Sequence, residues 1–239
     1  MTQASAAAVP SQQSIVNPDG TTNRIWLSSY VEGVPADIDL NKYKSLGQYF
    51  DECVDKFRNR PGFVSIGTEM SYDRLDRLVK AFAGWLQSQG IKKGDRVAIM
   101  LPNTFQYPIA LFAVLRIGAV VVNVNPLYTA RELNHQLKDS GAETIIVMET
   151  FAKTLQDAMP GTQVKRVVLT QIGDLLSDGI VNFKGRALNF VLRYVQKMVP
   201  AYQLPGAVWM RDTLKAGAKV ALKPVDVDQS DLAFLQYTG

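Results

Sequence analysis

Two hydrophobic periods alternate along the chain from Ser45 onward. Leu46, Tyr49, Phe50, Cys53, Val54 and Phe57 recur at helical spacing and predict a helix over Ser45–Phe57 with Cys53 on its buried face, ended by Arg60-Pro61-Gly62. Phe63 to Ile66 and Met70 to Tyr72, joined by Gly67-Thr68, read as a hairpin. Ser71 is placed to cap a second helix, with Leu75, Leu78, Val79, Phe82 and Leu86 on one face and Gly90 as its stop. Continuous apolar runs then appear at Val97–Leu101, Val120–Val124, Thr144–Met148 and Val167–Thr170. The first two are separated by an almost wholly apolar helix with Pro108 in its first turn, where proline is tolerated, ending before Gly118. Thr129-Ala-Arg-Glu132 has the spacing of a capping box and opens a helix that stops near Ser140-Gly141. Strand–helix alternation of this length implies parallel strands joined by right-handed crossovers. The expected fold is α/β, a doubly wound, mostly parallel sheet with helices on both faces.

The segments outside this alternation read differently. Met1 to about Asn23 is rich in Ala, Ser, Gln and Thr without a hydrophobic period, and is expected to be a disordered tail. Arg24-Ile-Trp-Leu and Tyr30 are expected as an extended arm, with a turn from Pro35 through Asp39. In Asn182–Tyr202, Ala187, Val191, Tyr194, Val195 and Met198 form one apolar stripe. Lys184, Arg186, Arg193 and Lys197 add positive charge with no acidic residue among them. Such a segment fits either an amphipathic helix lying on an anionic membrane surface or a helix packed on the sheet with a solvated basic face.

Composition narrows the function classes. Hydrophobic residues make up 47% and charged residues 20%, as in ordinary globular proteins, and no apolar run is long enough to span a bilayer. A net charge of +4 suits anionic ligands but is too small to argue for nucleic acid. One cysteine, Cys53, excludes an internal disulfide and a cysteine metal cluster, and with no secretory pattern at the N-terminus the expected location is cytoplasmic. Cys53 reads as a small core residue. His135, the only histidine, lies opposite the Leu133/Leu137 edge of its helix and reads as a surface residue. Gly90-Ile-Lys-Lys-Gly94 is too short for a Walker loop and reads as a basic turn, and no G-x-G-x-x-G follows any strand.

The most informative stretch is Asp231-Leu-Ala-Phe-Leu-Gln-Tyr-Thr-Gly239. Leu232–Leu235 reads as a buried strand that delivers Tyr237, Thr238 and Gly239 at its carboxyl end, where open α/β sheets bind ligands. This stretch, with Gly94-Asp-Arg-Val-Ala-Ile99 and Leu115-Arg-Ile-Gly-Ala-Val-Val-Val-Asn-Val-Asn-Pro-Leu-Tyr128, resembles the adenylate-forming ligase superfamily. The wording from Asn123 through Gly141 resembles the bacterial long-chain fatty acyl-CoA synthetases, AMP-forming, and the resemblance covers about residues 25–239.

That resemblance implies that residues 24–239 form the N-terminal subdomain of the AMP-binding large domain. It implies ATP with Mg²⁺, a fatty acid and coenzyme A as reactants, with acyl-adenylate formed first and acyl-CoA second. Tyr237, Thr238 and Gly239 would open the loop that cradles the ATP phosphates, and the chain stops within that loop. No catalytic residue and no metal ligand is expected within these residues, and a chain limited to them is expected to be inactive. Peripheral contact with the inner face of the cell membrane through Lys184, Arg186, Arg193 and Lys197, and a homodimer, are further expectations; nucleic acid is not an expected partner. Two alternatives stand beside this one: a ligase for medium-chain or aryl carboxylates, and a non-catalytic module that binds nucleotide or a partner.

Overall fold

A computed structural model describes residues 23–177 and 183–237. The chain divides into two units, Met1–Lys42 and Tyr43–Gly239. In the described part of the first, Ile25–Ser29 forms a 3-10 turn where an extended arm was expected. Arg24 Nη1 donates to Asp37 Oδ2 at 2.9 Å, which closes the loop back on its start. The expected tail falls on residues that, except for Asn23, lie outside those described.

In the second unit, Ser45 caps helix α1 (Leu46–Phe57) by accepting from Gln48 N. Its buried face is narrower than its period suggests. Phe50 and Val54 are buried, Cys53 is half-buried, and Leu46 and Tyr49 are exposed. Strands β1 (Pro61–Ser65) and β2 (Thr68–Ser71) pair as the expected antiparallel hairpin. Ser71 then caps α2 (Tyr72–Ser88).

The main sheet has six parallel strands in the order β7-β6-β5-β3-β4-β8. These are β3 (Arg96–Met100), β4 (Val120–Asn123), β5 (Thr144–Met148), β6 (Arg166–Thr170), β7 (Val208–Trp209) and β8 (Phe234–Gln236). Alternate side chains enter two separate cores, as the two-residue period of a strand requires. Val97, Ile99, Val121, Ile146 and Val168 pack with α1, α2, α3 (Gln106–Arg116) and α7 (Met210–Gly217). Ala98, Met100, Val122, Ile145 and Val147 pack with α4 (Ala130–Ser140) and α5 (Ala152–Ala158) on the other face. Each fully buried Leu, Ile or Phe in these cores contributes about 1.5–3 kcal/mol of transfer free energy. The doubly wound parallel sheet is therefore as expected.

Local signals set several helix ends. Thr129 and Glu132 form a complete capping box at the start of α4, and Gly141 ends it at φ +61°, a conformation glycine adopts at little cost. Three short elements had not been expected: α5, α7 and the two-residue strand β7. The basic segment is helical only in part. Helix α6 (Phe183–Phe190) runs into a π-helical turn at Val191–Val195, after which Lys197 sits at φ +52° and the helix stops. Among the described residues, no helix is long and apolar enough to cross a membrane.

Candidate functional site

Topology sets where a parallel sheet of this kind binds ligands. The chain leaving β3 runs through α3 on one face to β4, while the chain leaving β5 runs through α5 on the other face to β6, so the order reverses between β3 and β5 and a crevice is expected at their carboxyl ends. Strand β8 pairs with β4, with Gln236 opposite Asn123, and brings Tyr237 to the same carboxyl end of the sheet.

Uncharged hydrogen bonds tie this end of the sheet together. Asn123 Nδ2 donates to Gln236 Oε1 at 2.9 Å, the Tyr107 hydroxyl donates to Asn123 Oδ1 at 3.0 Å, and Gln136 Nε2 donates to Asn123 O at 2.8 Å. The buried Gln136 Oε1 is left without a partner among the described residues. Asn125 makes the turn after β4, its Oδ1 accepting from Leu127 N at 3.0 Å, which fits a scaffold role. The Tyr237 hydroxyl donates to Asp139 Oδ2 at 2.5 Å. Burial, and then the neighbouring carboxylate, push its pKa up to about 12, so the phenol is a donor at neutral pH. Thr238 and Gly239, the other two expected loop residues, lie outside the described residues.

The same edge of the sheet carries charge at the ends of β5 and β6. Glu149, 3% exposed, follows β5 directly. Its Oε2 accepts from Gln171 Nε2 at 2.7 Å, and its Oε1 accepts from the Tyr202 hydroxyl at 2.9 Å and from Arg193. Burial first, then the bond to Glu149, push the Tyr202 phenol up to about 12. Asp174, after β6, accepts from Gln171 N at 3.0 Å and the Thr170 hydroxyl at 3.2 Å, and burial holds its carboxyl above the usual range. In front of this network lies a cleft of about 720 Å³ bordered by α6, the π turn and α7.

The four basic residues of the predicted stripe do not act together. Lys184, Arg186 and Lys197 face solvent. Arg193 is half-buried, and its guanidinium pairs with Glu149. The apolar stripe faces outward, with Tyr194 62%, Val195 66% and Met198 49% exposed, while Gly185, Leu188 and Leu192 turn toward the protein. His135 is exposed, as expected.

Asp139 and Glu149 were missed by sequence reasoning. Asp139 carries no local signal, since it is one of several polar residues on α4. Glu149 does carry one: a carboxylate set at the carboxyl end of five consecutive buried strand residues, Thr144–Met148, has to be neutralised by something nearby. An apolar cavity of about 440 Å³, lined by Tyr43, Leu46, Leu115 and Leu232 among others, lies at the opposite, amino-terminal end of β4 and β8.

Comparison with known proteins agrees with this geometry. A family model described as AMP-binding enzyme matches residues 50–239. Long-chain-fatty-acid–CoA ligases of Salmonella typhimurium and Yersinia pestis are 46% and 47% identical over 217 residues. A 4-coumarate–CoA ligase of Arabidopsis thaliana is 30% identical over 155 residues. The chain is covered to 90% in the two bacterial matches and spans 38% of those relatives' length. Among solved structures, a long-chain-fatty-acid-CoA ligase from Archaeoglobus fulgidus aligns with a TM-score of 0.61 at 22% identity, covering 88% of this chain and 37% of that one. An anthranilate CoA ligase bound to anthranoyl-AMP aligns at 0.62 and 15% identity, covering 84% and 33%; both likenesses speak to the fold. With the parallel sheet, its crevice and these matches together, the chain belongs to the AMP-binding enzyme family.

Proposed function

We propose that the complete protein carrying this chain is a long-chain-fatty-acid–CoA ligase of the AMP-forming kind, and that residues 24–239 are its N-terminal subdomain. The observation that carries this reading is the identity of nearly half to relatives named for that activity, against the lower identity to a relative named for an aryl acid. In this reading the fatty carboxylate attacks the α-phosphorus of ATP, pyrophosphate leaves, and the thiol of coenzyme A then displaces AMP from the acyl-adenylate.

This chain's own part would be to hold the start of the phosphate loop. Strand β8 runs in register with β4 to the carboxyl end of the sheet, and the Asn123–Gln236 bond and the Tyr237–Asp139 bond fix the strand end on both sides of the backbone that leads to Thr238. Thr238 would offer a hydroxyl to a phosphate oxygen, and Gly239 would let the backbone approach the phosphates closely. A donor set that is already ordered stabilises the charge developing on pyrophosphate without reorganising at the moment of reaction. Mg²⁺ would accompany ATP. Among the described residues no three His, Cys, Asp or Glu side chains converge as metal ligands, so no step of the reaction is assigned to a metal on them.

The protein is proposed to work in the cytoplasm and to touch the inner face of the cell membrane through the outward apolar stripe around Tyr194 and Val195, with Lys184, Arg186 and Lys197 beside it. A homodimer is a further part of this reading. The deciding experiment is AMP release by the complete protein with ATP, Mg²⁺ and coenzyme A across acids of increasing chain length. Release that rises toward long acyl chains supports the proposal. Release with short or aromatic acids alone moves the substrate, and no release with any acid leaves a nucleotide- or partner-binding module.

A further inference from the structure

We infer that the cleft between α6, the π turn and α7 is a phosphate-ester site that takes the headgroup of an anionic lipid. This rests on the membrane-contact reading above and adds to it a defined cradle with named donors.

Every charged side chain that lines the cleft is a cation: Arg186, Arg193, Arg211 and Lys215. Arg193 is bound to Glu149 and the lining amides of Gln171 and Asn189 donate within the protein, so Arg186, Arg211 and Lys215 are the cations turned to a ligand. The neighbouring carboxylates are accounted for elsewhere. Glu149 is buried behind Arg193 and also accepts from Tyr202 and Gln171. Asp174 is buried and turned toward Thr170, Gln171 and Asn189. Asp212 is exposed, 3.5 Å from Lys215 and 3.9 Å from Arg211, so it offsets part of one charge in water. Arg186 has no carboxylate partner among the described residues. The Arg211 guanidinium carbon lies over the Trp209 ring, 4.7 Å from its centroid, a cation–π contact that helps to order it before any ligand arrives. A rigid planar fork beside a second free guanidinium is the donor set that matches phosphate oxygens.

The surroundings select a lipid over a soluble phosphate. Phe190 and Tyr194 also line the cleft and are 59% and 62% exposed. Phe183, Val195 and Met198, on the same segment, are 89%, 66% and 49% exposed. Exposed apolar side chains beside exposed cations on one cleft match the pairing of acyl chain and headgroup phosphate that a bilayer presents. The π turn at Val191–Val195 lies where the segment turns Arg193 inward and Tyr194 outward. The site is separate from the proposed phosphate loop. Four strand spacings lie between β6 and β8, roughly 19 Å at the usual spacing.

The test is co-sedimentation of the complete protein with vesicles of phosphatidylcholine alone and of phosphatidylcholine with phosphatidic acid. Three double variants accompany the parent: R186Q/R211Q in the cleft, K184Q/K197Q with the same loss of charge outside it, and F190S/V195S in the apolar rim. Each is first checked for cooperative thermal unfolding. The expected result is preference of the parent for phosphatidic acid vesicles, a drop for K184Q/K197Q of no more than the roughly fivefold per cation that surface charge alone gives, and a clearly larger drop for R186Q/R211Q. Equal drops for the two charge variants would overturn the cleft while leaving membrane contact in place. No binding of the parent to any vesicle would overturn the membrane reading itself. Thermal stabilisation by glycerol 3-phosphate or coenzyme A that is lost in R186Q/R211Q, without vesicle binding, would reassign the cleft to a soluble phosphate ester and overturn the lipid assignment.

Discussion

Two tyrosines at the same edge of the sheet donate to carboxylates, Tyr202 to Glu149 at 2.9 Å and Tyr237 to Asp139 at 2.5 Å, and both phenols are pushed up to about 12. The acceptors differ. Glu149 is 3% exposed and takes three donors, whereas Asp139 lies on the exposed side of α4. One bond therefore belongs to a buried charged network, and the other to a surface latch beside a neutral ladder of Asn123, Gln236 and Tyr107. A hydrogen bond's worth is set by what its partner becomes when it is broken, more than by its length.

Removing the buried acceptor should have the largest effect. Glu149→Ala would strand Arg193, Tyr202 and Gln171 as donors and should destabilise by about 3 kcal/mol, read as a lower midpoint in urea denaturation. If Glu149→Ala cost no more than Asp139→Ala, the contrast between the two pairs would be wrong.

Next comes the packing that holds the charged half together. A Cβ on Gly173 would stand 2.1 Å from Gly185 O and 2.7 Å from Asn189 Oδ1, so Gly173→Ala has to push α6 off the end of β6. A loss of about 1–3 kcal/mol is expected, together with faster hydrogen exchange in 183–195 and unchanged exchange in β4 and β8. Uniform protection across both regions would show that the two halves are not separable.

Asp139→Asn should cost about 1 kcal/mol or less in stability, since its acceptor is exposed. Its effect belongs on the proposed reaction. A loosened Tyr237 should raise the KM for ATP of the complete protein several-fold while leaving the KM for fatty acid in place. Equal changes in both would mark Asp139 as merely structural.

The smallest effect is a pH dependence. Tyr202 has a folded-state pKa near 12 against the ordinary 10.0, so the stability from its bond is fully present below pH 10.0 and is lost as pH rises toward 12. The gap in unfolding midpoint between the parent and Tyr202→Phe should be constant up to about pH 10 and then close. A gap that instead opens on acidification would assign the effect to a carboxylate.

Much of the fold was legible in the sequence because it is written at short range. The capping box Thr129–Glu132, the stop at Gly141 and the buried runs at Val97 and Thr144 each depend on residues a few positions apart, and the structure has each of them. The short elements were not legible for the same reason. Strand β7 has two residues, too few to show a period, and exists because Val208 finds Val168 beside it.

The candidate site divides along the same line. The chain by itself determined a parallel doubly wound sheet, the placement of Tyr237 at a strand end, and an apolar stripe among cations over 182–202. Only the tertiary structure decided which of those cations stay free. Arg193 is taken by Glu149 across 44 positions and Tyr237 by Asp139 across 98, and no local pattern encodes such pairings. Periodicity reports the free energy of a segment against an average core or an average solvent. Which partner neutralises a buried charge depends on which strands the sheet order sets side by side, and that order is settled only when the whole chain packs.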